Sequence, residues 1–235
     1  MSNSNAILAS LTANDAAALR PHLKNIHLEQ KTILHDVGDV IDTVYFPTSA
    51  VVSLVVGLST GEVVEGAMMG KDGAVGIAAA LDSKIALTQA IVQLSGEAVV
   101  CSAASFKTIA LQSEPLITFL FRHEQAVYAQ VQQSTACMAV HDVQSRLCRW
   151  LLRARDLSGS NNLAFTQEFL AEMLGVRRTS VTVHAHTLQN AGLIKYSRGK
   201  IQIMDVDALR EATCECYETV RSGYAKLLAN EPERV

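Results

Sequence analysis

Hydrophobic positions fall into three textures along the chain. In the first, Leu11-Thr12-Ala13-Asn14-Asp15 reads as the capped start of a short helix, with Thr12 as N-cap and Asp15 three residues on, and the pattern stops near Pro21. From Ile26 to about Phe106, short Val/Ile-rich runs are separated by turn residues at Asp36-Val37-Gly38-Asp39, Pro47-Thr48-Ser49, Ser59-Thr60-Gly61-Glu62, Lys71-Asp72-Gly73 and Ser95-Gly96-Glu97. Turn signals at intervals of roughly 10 residues between β-branched segments predict an antiparallel sandwich, roll or barrel. Ser113-Glu114-Pro115 then opens a stretch without Gly or Pro that runs to about Asp156. Unbroken, it would be a helix of about 40 residues, roughly 60 Å long. Ile117, Leu120, Val127, Val131 and Met138 recur on it at spacings of three, four or seven, a two-stranded coiled-coil seam interrupted by Glu124 and Ser134. The preferred reading is a dimer helix; packing against the chain's own β-rich domain is the alternative. Leu157-Ser158-Gly159-Ser160-Asn161-Asn162 marks a loop and the expected hinge. The division expected is a β-rich sensor over 1–112, a dimerisation helix and hinge over 113–158, and a third unit over 159–235.

The third unit holds the most specific pattern. Thr166 can cap a short helix whose inward face is Leu170, Ala171 and Leu174; Gly175 ends it, and a second helix runs from near Arg177 to Gly192. Two helices that cross closely need a small residue at the contact, a turn residue able to take positive φ, and an apolar anchor on the second helix. Ala171, Gly175 and Val181 meet these needs at helix-turn-helix spacing, with Leu188 continuing the buried side. The outward face of the second helix is then Arg178, Thr179, Thr182, Val183 and His186, with Arg177 and Ser180 near its first turn. Arg suits guanine O6 and N7, Thr and Val suit a thymine methyl, and a helix N-terminus favours a phosphate. Leu193 to Ile203 alternates around a tight Arg198-Gly199-Lys200 turn, the form of a wing whose cations would lie over phosphates. A plain helical hairpin with a solvated basic face is the bland alternative.

Charge supports the nucleic-acid reading once it is divided along the chain. The formal net charge is -3, yet residues 1–140 hold 7 basic against 12 acidic side chains, whereas residues 141–204 hold 9 against 4. At 235 residues and 49% apolar composition the chain can fill two cores. It lacks an apolar run near the ~20 residues that span a bilayer and a basic-then-apolar leader, so a cytoplasmic protein is expected. Five cysteines, an odd number without Cys-x2-Cys spacing, argue for reduced thiols and against a zinc knuckle. Cys214-x-Cys216 reads as two packing thiols, and His184 and His186, two apart on a helix, face different sides. His22, His27 and His35 raise a cupin-like metal enzyme, but no His-x-His with a downstream carboxylate follows. Neither a catalytic constellation nor a metal or cofactor site is expected.

The run Gly175-Val176-Arg177-Arg178-Thr179-Ser180-Val181, with the order of β-rich domain, long helix and winged helix-turn-helix, resembles the cyclic-AMP receptor protein and fumarate-nitrate regulator (Crp/Fnr) family of bacterial transcription factors. The resemblance implies an α+β fold: an N-terminal antiparallel β-roll like a cyclic-nucleotide-binding domain, a long dimerisation helix and a C-terminal winged helix-turn-helix. It places Arg178, Thr179 and Val183 at the main base-reading positions, and Ser180, Arg198, Gly199 and Lys200 at positions that approach phosphates. Thr179 and Val183 depart from the Glu and Arg of the cyclic-AMP-responsive archetype, so that archetype's DNA site does not carry over. In cyclic-nucleotide-binding members a Glu meets the ribose hydroxyl and an Arg the cyclic phosphate. Here Ala74 and Thr88 stand at those places, and a buried phosphate without a cation is costly, so tight cyclic-AMP binding is not expected. The first cysteine is Cys101, so the N-terminal cysteine set of the oxygen-sensing branch is missing too. The expected partners are double-stranded DNA with a pseudo-palindromic operator, a second copy of the chain and RNA polymerase, with no membrane and an unidentified effector. A ligand-binding module whose basic end engages a protein is the rival from another class.

Overall fold

The computed structural model of the chain describes residues 5–81 and 84–228. Two short helices come first, α1 (Ala6–Ala9) and α2 (Ala13–Leu19). Thr12 caps α2, its Oγ1 accepting from the Asp15 N–H at 3.2 Å, and the helix tightens into a 3-10 turn over Arg20–His22 at Pro21. Seven strands follow: β1 (Lys24–Leu28), β2 (Ile33–His35), β3 (Thr43–Pro47), β4 (Val51–Gly57), β5 (Val63–Met69), β6 (Gln89–Leu94) and β7 (Gly96–Ser102). They form two antiparallel sheets, ordered β1-β7-β3 and β2-β6-β4-β5. The five turn signals fall at strand ends: three lie between strands or after β5, whereas Pro47 closes β3 opposite Ala98 and Gly96 and Glu97 open β7 opposite Leu28 and His27.

Helix α3 (Ala103–Ala110) leads into the helical stretch, which is two helices and not one: α4 (Glu114–Val140) and α5 (Val143–Ser158). The break needs no Gly or Pro. His141 and Asp142 are extended, and Asp142 restarts the chain as N-cap, Oδ1 accepting from the Ser145 N–H at 3.0 Å. The apolar positions of α4 largely serve the chain's own β domain. Leu120 is fully buried in one core with Leu116, Phe119, Phe46 and Phe106, Ile117 packs at its edge, and Val127 packs against a second core under the sheets. Leu120 is therefore unavailable to an intermolecular seam. Val131 lies over Gly66 on β5 and Met138 is half-buried, while Phe121 and Tyr128 point outward, 60% and 64% exposed.

Past Gly159, which caps α5 in the left-handed region, come β8 (Asn162–Leu163), α6 (Gln167–Leu174), α7 (Arg178–Asn190), β9 (Ile194–Ser197), β10 (Lys200–Ile203), α8 (Val206–Glu211) and α9 (Cys216–Leu228). The three short strands make a sheet ordered β8-β10-β9. Helix α9 returns to the β-roll and α4: Val220, Tyr224 and Leu227 complete the core under the sheets, and Tyr224 donates to Gln130 Oε1 at 2.9 Å. Where these elements meet, Arg153 of α5 pairs with Asp72 at 2.6 Å and lies 4.7 Å over the Tyr224 ring.

Candidate nucleic-acid interface

The geometry of α6, its turn and α7 follows from a few residues. Thr166 Oγ1 accepts from the Phe169 N–H at 3.1 Å, capping α6. At the other end Gly175 takes φ 60°, ψ 42°; its N–H donates to Glu172 O and the Val176 N–H to Ala171 O, both at 3.0 Å. This paired cap reverses the chain and needs a residue at ease with positive φ. Arg146 of α5 donates to Leu174 O, a cation on the negative end of α6. Leu170, Ala171, Leu174, Val181, Ala185 and Leu188 are buried in one core with Trp150, whose ring meets Phe165 edge-on at 4.6 Å. Trp150 is thus a core residue.

With that side of α7 buried, the opposite side is exposed at Arg178, Thr179, Val183 and His186, and Arg177 is exposed at the N-cap. No side chain caps α7, so its first amides face outward without one. Thr182 and Ser180 are only half-exposed, and the Thr182 hydroxyl, expected to face a base, bonds Gln167 Oε1 at 2.7 Å and Arg178 O at 3.0 Å. Arg178 is held by Glu168, Nη1 to Oε2 3.3 Å, with both side chains about two-thirds exposed. His184 is half-buried. Between β9 and β10, Arg198 and Gly199 both have positive φ, 47° and 75°, the two-residue turn that suits a twisted hairpin. A Cβ on Gly199 would stand 3.4 Å from Thr166 Cγ2, so the wing tip sits at the start of α6. The Tyr196 N–H donates to Gln189 Oε1 at 2.8 Å, fastening the wing to α7. Arg198 and Lys200 are exposed there.

Two regions lie outside this face. In the β-roll, Ala74, Gly76 and Thr88 border a cavity of about 170 Å³ together with His123 and Val127 of α4. The buried His123 occupies its inner wall, Nε2 accepting from the Ala74 N–H at 3.2 Å and Nδ1 facing Glu124 at 3.3 Å. At the C-terminal end of α4, Cys137, His141, Cys214 and Cys216 come together, their donor atoms all within 4.8 Å of one another. Sequence reasoning took Cys214 and Cys216 as isolated packing thiols and passed over Cys137 and His141. The available signal was Cys137-x3-His141 on one helical face matched with a Cys-x-Cys far along the chain. Burial pushes the Cys137 thiol up to about 12.

Residues 145–212 match the family model of the Crp-like helix-turn-helix domain. The fold extends the likeness over most of the chain. A Crp/Fnr-family transcriptional regulator from Eubacterium rectale superposes with TM-score 0.65 and 19% identity, covering 88% of this chain and 96% of that one. FixK2 from Bradyrhizobium japonicum gives 0.68 and 14%, covering 82% and 98%. The c-di-GMP-responsive global regulator CLP of Xanthomonas campestris gives 0.64 and 17%, covering 83% and 100%. Among curated proteins, none matches the chain in sequence. The chain therefore carries a Crp-like DNA-binding helix-turn-helix domain, within the fold of Crp/Fnr-family transcriptional regulators.

Proposed function

We propose that the chain is a sequence-specific transcription regulator that binds a pseudo-palindromic operator as a homodimer. The observation that carries this reading is the exposed side of α7, where Arg178, Thr179 and Val183 face outward while Val181, Ala185 and Leu188 lock the helix from behind. Arg178, Thr179 and Val183 read bases, with Thr182 contributing once Gln167 releases its hydroxyl. Thr166, Arg177, Ser180, His186, Arg198, Gly199 and Lys200 approach phosphates or flanking positions. The dimer forms along α4 through the face bearing Phe121 and Tyr128, not through Leu120, and an event in the β-roll alters the spacing of the two α7 helices. Half-sites one helical turn apart, ~34 Å, make affinity sensitive to shifts of a few ångströms. RNA polymerase is the further partner and the cytoplasm the setting. Among the described residues no helix is long and apolar enough to cross a membrane.

The effector is not cyclic AMP in this reading. The β-roll cavity is below the ~300 Å³ at which ligand pockets begin, and among the described residues its wall offers the phosphate no arginine or lysine. Gel shifts on random DNA with increasing salt, followed by sequencing of bound sites, test the DNA reading: a regulator keeps a sequence-selected complex, whereas a module that engages only proteins keeps none. Calorimetric titration with cyclic AMP should give no saturable heat at micromolar concentration; a tight isotherm would remove the effector assignment.

A further inference from the structure

We propose that Cys137, His141, Cys214 and Cys216 form a mononuclear Cys3His site for a thiophilic divalent cation of the zinc type, fastening the segment that leaves the DNA-binding unit to the C-terminal end of α4. The distances have the right scale. Zinc bound tetrahedrally at about 2.3 Å to sulfur and 2.0–2.1 Å to nitrogen sets sulfur–sulfur edges near ~3.8 Å and sulfur–nitrogen edges near ~3.6 Å. Cys137 Sγ and Cys214 Sγ are 3.6 Å apart, and Cys216 Sγ and His141 Nδ1 3.5 Å apart. An iron–sulfur cluster, with inorganic core atoms between its thiolates, needs the cysteines held farther apart than this.

The surroundings are arranged for ligation as well. With His141 Nδ1 turned to the sulfurs, Nε2 lies 3.3 Å from Glu215 Oε2, the carboxylate-to-histidine contact that orients and strengthens a ligating imidazole. The Gln133 amide donates to Cys216 Sγ at 3.0 Å, as suits a thiolate. Three thiolates around a divalent ion leave one negative charge. Arg146 and Arg149 of α5 act electrostatically on Cys137, and Arg149 Nε is buried with no hydrogen-bond partner among the described residues. The three cysteines are buried and His141 is 23% exposed, which gives an ion a way in. Binding displaces the thiol protons to solvent, with no change of oxidation state.

The test uses the reduced, full-length chain, stripped with a chelator and titrated anaerobically with Co2+. We expect one ion per chain, intense near-ultraviolet thiolate-to-cobalt absorption, the visible bands of a tetrahedral ion, and bleaching on addition of Zn2+. Cys214→Ser should abolish the tetrahedral spectrum, Cys101→Ser should leave it intact, and Glu215→Gln should weaken Zn2+ binding about 10- to 100-fold. His141→Cys, which keeps four donors, should retain uptake. An octahedral spectrum, no uptake, uptake unchanged in Cys214→Ser, or a Cys137–Cys214 disulfide in anaerobically isolated protein would each overturn the site. None of these outcomes depends on DNA binding.

Discussion

Replacing Arg178 by Ala probes the outward face of α7 at an exposed cation. In the free protein Arg178 Nη1 lies 3.3 Å from Glu168 Oε2, with side-chain exposures of 65% and 66%. At that separation two unit charges in water attract by about 1.3 kcal/mol, and salt together with the entropy of two long side chains brings the net value below ~1 kcal/mol. A guanine edge can therefore recruit the guanidinium at small cost, and a bidentate contact to O6 and N7 contributes about 1–3 kcal/mol of discrimination. Arg178→Ala should then bind the selected operator roughly 5- to 150-fold more weakly and lose preference at one base pair. Glu168→Gln, which frees the arginine and removes a carboxylate from the face, should tighten binding to every sequence, the ion-pair part by less than about fivefold. Fluorescence anisotropy on the operator recovered from random DNA, and on its single-base variants at one salt concentration, measures both effects. Equal weakening of all variants by Arg178→Ala would show a phosphate contact and refute base reading by this residue.

Three further outcomes concern the frame behind that face. Gly175→Ala forces a Cβ into the left-handed region at φ 60° and places it 3.3 Å from Val64 Cγ2, so a loss of about 1–2 kcal/mol in urea unfolding is expected; an unchanged midpoint would refute the strained cap. Asp72→Asn leaves the Arg153 cation buried without its counter-charge and should cost about 3–5 kcal/mol by the same measurement, against less than 1 kcal/mol if the pair were exposed. Burial also pushes the Glu65 carboxyl above the ordinary carboxylate range, with Ser53, Arg149 and Gln93 opposing. The folded chain thus keeps a proton that the unfolded chain has lost, and stability falls as pH rises from the usual carboxylate pKa through the folded one. Glu65→Gln should remove that part of the pH dependence; parallel stability profiles for the two proteins would sink the argument.

The helix-turn-helix was legible because its constraints are local. A cap, a small contact residue, a positive-φ turn and an apolar anchor lie within 16 residues, from Thr166 to Val181. The strands of the roll were legible for the same reason, since turn residues end or separate the ladders at Asp36, Thr48, Ser59, Lys71 and Ser95. The break at Asp142 escaped notice because an N-cap inside an apolar-rich run has no Gly or Pro to announce it. The orientation of α4 was not readable either: Leu120 meets Phe46 and Phe106 through contacts set by tertiary packing, and its spacing suits either partner. Cys137 and Cys214 are 77 residues apart, and only the return of the chain along α4 brings them together. Helix α9 was assigned to the winged unit by sequence position, whereas Val220, Tyr224 and Leu227 bury themselves under the roll.

That return of the chain has a mechanical consequence. The helix-turn-helix unit is entered at His141–Asp142 and left at Cys214–Cys216, and the two thresholds touch through Cys216 Sγ and His141 Nδ1 at 3.5 Å. A body whose covalent attachments meet at one place can swing about that place without stretching either of them. What holds the unit against the roll is therefore packing and not chain: Val51, Val55, Met68 and Leu94 of the roll share one core with Trp150, Leu170 and Met173, and Arg153 pairs with Asp72. Any rotation about that place would carry α7 and the wing with it, and would first have to open this shared core and the approach of Gly175 to Val64.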